Sequence, residues 1–252
     1  MKDTQSTSWQ NVAAWYDKLV GSEGHYYHQH VVLPGLLRLL DLQPENSLLD
    51  LGCGQGILSR VIAPVSAYLG IDRSKSLIEA AKAIPSPKNY SFQVFDVTRE
   101  LQAAEPIFSH AAIVLALQNM EYAEGALGNA AAYLKTGGKL VIVLNHPAFR
   151  IPRQSGWDID KKTKQQFRWE NRYASPLKIP IHMLPGKDSS AVTWSFHRSL
   201  QDYFKMLKNA GFVVTDLEEW ASDKASVGKA SKMENRSRRE FPLFMAIVAQ
   251  KV

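Results

Sequence analysis

Three glycines and three acids carry the chemistry most legible in this sequence. Leu48 to Gly56 reads LLDLGCGQG, a buried-looking run holding Asp50 that leads into Gly52, Cys53, Gly54 and Gly56. Glycines at alternate positions let the backbone turn sharply and leave no Cβ between it and a ligand. Ile57 to Ala63 then begins a helix, whose N-terminus offers free N–H groups to an anion. A dinucleotide fingerprint would need glycine at residue 57, where this chain has Ile, so the NAD reading loses its third glycine. Asp72 ends the next apolar run, where a carboxylate could accept both hydroxyls of a ribose. Asp96 ends a third run, where it could face an adenine amine. Singly, each acid reads more readily as a helix cap or a solvated loop residue. Together with the loop, they let three strand tips line one nucleoside.

These residues need a scaffold that brings strand ends to one edge. Ser47 to Leu51, Ser66 to Ile71, Tyr90 to Phe95, His110 to Leu115 and Lys139 to Leu144 read as strands. Helices are expected over Ser74 to Ala83, with Ser74 as cap, and over Glu121 to Leu134, broken by Gly137-Gly138. Strands separated by helices point to a doubly wound α/β fold with a parallel sheet, ligands binding outside the strands' carboxyl ends. His146 to Trp194 holds five of the twelve prolines and three of the six tryptophans, with no sustained helical period. It is expected to be an irregular, ordered lid. Arg198 to Ala210 reads as a helix stopped by Gly211, Phe212 to Leu217 as a strand, and Phe241 to Val248 as the last strand.

On these residues the sequence resembles the class I S-adenosylmethionine-dependent methyltransferases, over Asn11 to Leu144 and again in the last strand. The resemblance implies a seven-stranded, mostly parallel sheet with the last strand antiparallel. It also implies cofactor contacts: Asp50 organising the loop, Gly52, Cys53, Gly54 and Gly56 approaching the cofactor, Asp72 and Arg73 at the ribose, and Asp96 and Val97 at the adenine. Leu115 and Gln118, in the LALQNME that follows the fourth strand, would border the methyl group. Val12 to His30 is similar to the N-terminal cap of small-molecule members, including quinone-biosynthesis methyltransferases. There a tyrosine such as Tyr16 reaches the cofactor, although packing alone would also explain Tyr16. One domain is expected: cap 1–45, cofactor-binding core 46–145, lid insertion 146–197, and C-terminal helix and strands 198–252.

Methyl transfer from a sulfonium asks the protein mainly to position and desolvate the nucleophile, with a general base where that nucleophile is protic. Among the histidines, His28 in the cap and His146 after the fifth strand are the preferred catalytic pair. His25, His30, His182 and His197 are the other candidates. His110 opens its strand on the opposite edge and is set aside. No metal site is expected, and the single cysteine, Cys53, can form no intrachain disulfide or cysteine-based zinc site. The signatures of exocyclic-amine and cytosine-C5 DNA methyltransferases are missing.

The chain has 252 residues, 45% hydrophobic and 21% charged, which excludes a disordered or disulfide-stapled protein. A cytoplasmic location is expected, since the first twenty residues do not read as a signal peptide and no apolar run reaches the ~20 residues of a membrane span. The net charge of +6 is unevenly spread. Arg150 to Lys178 carries eight Lys/Arg against three acids, and Trp220 to Glu240 six against three, leaving −2 elsewhere. Such segments either steer an anionic partner or form a solvated face. In the lid, Arg150, Arg153, Arg168 and Arg172 interleave with Trp157, Phe167, Trp169 and Tyr173, a mixture suited to an anionic or aromatic small molecule or to stacked RNA bases. The small molecule is favoured as substrate. RNA methylation and a non-catalytic partner subunit are the alternatives.

Overall fold

A computed structural model describes residues 25–101, 107–182 and 192–252. Tyr16 and most of the expected cap lie outside these residues. A π-helical turn, His28–Val32, runs directly into helix α1, Leu33–Leu40. There follow strand β1 (Ser47–Leu51), α2 (Ile57–Val61), β2 (Ala67–Asp72), α3 (Lys75–Ala83) and β3 (Tyr90–Val94). Next come β4 (Phe108–Val114), α4 (Ala123–Tyr133) and β5 (Leu134–Asn145). Four further strands fill the region expected to be irregular: β6 (Ser155–Asp160), β7 (Gln165–Glu170), β8 (Leu177–His182) and β9 (Val192–His197). The chain closes with α5 (Leu200–Asn209), β10 (Phe212–Trp220), α6 (Ser231–Glu240) and β11 (Phe244–Lys251).

The seven-stranded sheet has the order β10-β11-β5-β4-β1-β2-β3. β1 to β5 are mutually parallel, and β11 alone is reversed, antiparallel to both β5 and β10. The central strands β1, β4 and β11 are apolar almost throughout because both faces are covered, and alternate side chains go to opposite cores. Leu140, Ile142 and Leu144 of β5 pack with α4 and α5 on one face. Val141 and Val143 pack with α1, α2 and α3 on the other. Ser74 caps α3 as expected, its hydroxyl accepting the Leu77 amide at 3.4 Å. Ser199 and Asp202 form a reciprocal capping box on α5.

Two expectations are corrected, and one further segment is defined. The lid is not irregular: β6 pairs with β7 and β8 with β9, each an antiparallel hairpin outside the main sheet. Gly137-Gly138 does not separate helix from strand. Both glycines lie inside β5, which starts at Leu134, and Gly137 takes a φ of 78°. The basic run before the last strand is helix α6, packed on the first hairpin. Among the described residues, no helix is long and apolar enough to cross a membrane.

Candidate functional site

Parallel pairing brings the carboxyl ends of β1 to β5 to one edge, and a cavity of about 770 Å³ opens there. That volume falls within the range of small-molecule sites. Each strand end contributes: Gly52 and Gly54 after β1, Asp72 and Arg73 at β2, Asp96 to Arg99 after β3, Leu115 to Tyr122 after β4, and Asn145 of β5. His28 of the cap, Pro152, and Lys178, Ile181, Thr193 and Ser195 of the second hairpin complete the wall.

The loop after β1 is held by two amides, Gly52 N and Cys53 N, that donate to the Ile71 carbonyl at 2.7 and 3.1 Å. Gly52 has a φ of 81°, and a Cβ there would stand 2.6 Å from the Ala116 Cβ. Gly56, with a φ of 75°, lies against the ring of Phe92, where a Cβ would come to 2.9 Å. Both positions therefore require glycine on conformational and steric grounds. Gly56 serves packing rather than the cavity. So does Cys53, which is buried with its thiol pushed up by desolvation and neighbouring acids.

Asp72 accepts from Gly54 N at 2.9 Å on one oxygen and from Ser74 N at 2.8 Å on the other. Burial raises its pKa, and those backbone bonds oppose the rise. Each carboxylate oxygen keeps a lone pair, so the group can still accept two hydroxyls. Asp96 is tied by the Thr98 hydroxyl at 2.7 Å and faces Arg73 at 3.6 Å. Asp50 lies beneath the loop, not on the wall. Tyr68 donates to it at 2.6 Å, and desolvation, with Asp72 nearby, pushes it up to about 7.

The end of β4 is strained. Leu115 has a φ of 52°, unusual for a residue with a side chain. This turn aims its carbonyl at two amides, Gln118 Nε2 at 2.8 Å and Asn119 Nδ2 at 3.2 Å. Gln118 is thereby fixed on the wall with Oε1 buried and without a partner among the described residues. Such an orphan acceptor is costly unless a ligand meets it.

The two candidate bases part company. His28 is 8% exposed, lines the cavity, and holds a buried Nδ1 without a hydrogen-bond partner among the described residues. Desolvation and the neighbouring His25 lower its pKa to about 4, so it is neutral near pH 7. His146 does not reach the cavity. Its Nε2 pairs with Glu219 at 2.7 Å, and its Nδ1 accepts the Ala148 and Phe149 amides at 3.2 and 3.3 Å. With both nitrogens engaged it shapes the turn after β5. His197 is not on the cavity wall either, and its Nε2 meets the Tyr173 carbonyl at 2.7 Å.

The structure adds residues not anticipated. Lys178 sits 3.2 Å from Glu121 and over the ring of Trp194, and Thr193 and Ser195 are buried hydroxyls on the same wall. The alternation in VTWSFH was the available signal. Asn129 of α4 had none: its amide donates to the Val97 and Arg99 carbonyls at 2.7 and 2.6 Å and accepts Leu101 N at 3.0 Å, splinting the segment that carries Asp96.

Comparison with known proteins agrees with this geometry. A family model described as a methyltransferase domain matches residues 25–217. An S-adenosylmethionine-dependent methyltransferase from Mesorhizobium loti superposes with a TM-score of 0.68 at 23% identity, covering 86% of this chain and 96% of that one. A candidate S-adenosylmethionine-dependent methyltransferase from Listeria monocytogenes gives 0.65 at 20% identity, with 86% and 97% covered. A chain from the complex between the Haloferax volcanii Trm112 methyltransferase activator and a candidate methyltransferase gives 0.66 at 16% identity, with 96% and 95% covered. No curated protein matches by sequence. The Gly52 cradle, the Asp72 carboxylate and the orphan Gln118 oxygen fit a nucleoside carrying an amino acid. The chain belongs to the methyltransferase-domain family, with S-adenosylmethionine as its cofactor.

Proposed function

We propose that the protein is an enzyme that transfers the methyl group of S-adenosylmethionine to a small metabolite of anionic or aromatic character. The observation that carries this reading is the single cavity joining the strand-tip acids to His28 and to the second hairpin. When bound, the cofactor supplies a methyl group on a positively charged sulfur, which an in-line nucleophile displaces. Asp72 holds the ribose, Asp96 faces the adenine, and Gly52 and Gly54 leave room for the backbone to approach the ligand. Leu115 and Gln118 border the reacting end. His28, neutral and with Nδ1 unpartnered among the described residues, takes the proton of a hydroxyl or amine nucleophile in the tautomer protonated at Nε2. Lys178, its charge shared with Glu121 and its stem set against Trp194 and Phe196, supports an acidic or planar acceptor. The hairpin keeps water from the nucleophile, and that desolvation strengthens the electrostatics inside.

The test uses S-adenosylmethionine labelled in its methyl group, with the protein and a cell extract split into small-molecule, RNA and protein fractions. Label is expected among small molecules and should be lost in Asp72→Ala. Label in RNA or protein would overturn the substrate assignment. Cofactor binding with no label in any fraction would favour a non-catalytic role or dependence on an activator, as in the Haloferax complex.

A further inference from the structure

The surplus positive charge sits in two segments distant in sequence, Arg150 to Lys178 with +5 and Trp220 to Glu240 with +3, and the fold joins them. Arg236 Nη2 and the Ser237 hydroxyl of α6 both donate to the Gln166 carbonyl of β7, at 3.3 and 3.4 Å. Trp157 of β6 meets Phe241, just past α6, edge to face with centroids 5.2 Å apart. The result is one body in which the ribbon, residues 155–170, holds four Lys/Arg against three acids and the helix, Ser231–Glu240, four against two, a net +3.

The ribbon carries large apolar side chains on both faces. The β6–β7 register sets Trp157 and Ile159 on one face, 38% and 46% exposed, and Phe167 and Trp169 on the other, 42% and 43% exposed. Trp169 lies across Gly156, where a Cβ would stand 2.7 Å from its ring, so the indole rests flat on the ribbon with its outer side in solvent. At the tip, Lys161, Lys162 and Lys164 are exposed. The neighbouring acid, Asp160, is consumed by the turn, accepting the Lys162 amide at 2.8 Å and the Thr163 hydroxyl at 2.8 Å.

We propose that the β6–β7 ribbon, with α6 beside it, is a docking surface for an anionic phospholipid bilayer. Tryptophan and phenylalanine settle at the headgroup level of membranes, and clustered Lys and Arg are drawn to anionic lipid. The observations favour lipid over nucleic acid. Ile159 has no π face on which a base could stack. Bulky side chains also stand on both faces of a ribbon instead of lining a groove. The ribbon is rooted at the cavity: Pro152 before it and Lys178 after it both line the wall. Docking therefore turns the cavity rim toward the lipid.

The test is co-sedimentation of the full chain with vesicles of phosphatidylcholine alone or mixed with phosphatidylglycerol, and it is independent of methyl transfer. Retention is expected only on the mixed vesicles, weakening as salt rises. Replacing Lys161, Lys162 and Lys164 together by Ala should weaken it about a hundredfold. These side chains are exposed at a turn and leave the fold intact. Phe167→Ala/Trp169→Ala should weaken it about tenfold, with the fold checked by cofactor binding. No retention on anionic vesicles, retention unchanged in the lysine variant, or tighter binding to single-stranded RNA at the same salt would overturn the proposal.

Discussion

At the scale of single residues, the two histidines preferred as bases have opposite fates. His28 keeps an unsatisfied nitrogen at the cavity wall, whereas His146 spends both nitrogens on Glu219 and the turn after β5. The sequence located His146 at a strand's carboxyl end, but a strand end does not say which way a side chain turns. Its partner lies 73 positions away on β10. The strand-tip acids were legible because their meaning is local: Asp72 ends β2, Asp96 lies two residues past β3, and a backbone amide two residues on holds each. For His28→Gln we expect kcat to fall about a hundredfold while cofactor affinity is kept. With its pKa near 4, His28 in the wild type should hold the acidic limb of the kcat/KM profile near pH 4, not at 6.5. An unchanged kcat in the variant would remove His28 from the chemistry.

At the scale of elements, the parallel core could be read because β1 and β4 are buried on both faces and helices follow β1, β2 and β4. The hairpins could not, because a two-stranded ribbon outside the sheet buries half its side chains at most. QQFRWE therefore mixes exposed polar and exposed aromatic positions, and the apolar signal is diluted. α6 was hidden for a related reason: in SKMENRSRRE only Ser237 is buried, so no apolar face marks it as a helix. The glycine loop is the opposite case, with conformation and packing both demanding the residue seen. For Gly56→Ala, at a φ of 75° and 2.9 Å from Phe92, we expect about 1–3 kcal/mol of lost stability in urea unfolding. Cofactor affinity should weaken as the loop shifts. A variant as stable as the wild type would show that the loop tolerates a Cβ.

At the scale of the whole molecule, burial sets the response to acid. His28 and His110 are held near 4, and His146 and His197 are also lowered, in each case chiefly by desolvation. Unfolding returns them toward 6.5, so below that pH the unfolded chain binds protons that the folded chain refuses. Their contribution is present above pH 6.5 and lost as pH falls toward 4. Asp50, Asp72 and Glu170, raised in the fold, work in the opposite direction but are fewer than the four histidines. The thermal midpoint should accordingly drop between pH 6.5 and 4 in calorimetry, with a shallower slope in His110→Gln. A rising midpoint would mean that the acids dominate. The two hairpins have a consequence of another kind. Each returns the chain to where it left: Asn171 N bonds the Gln154 carbonyl at 2.8 Å, and Leu177 pairs with His197. The β6–β7 tip can thus be lengthened, shortened or exchanged without altering strand order or the glycine loop. In engineering terms the protein offers a place where chain can be added without touching the cofactor-binding core.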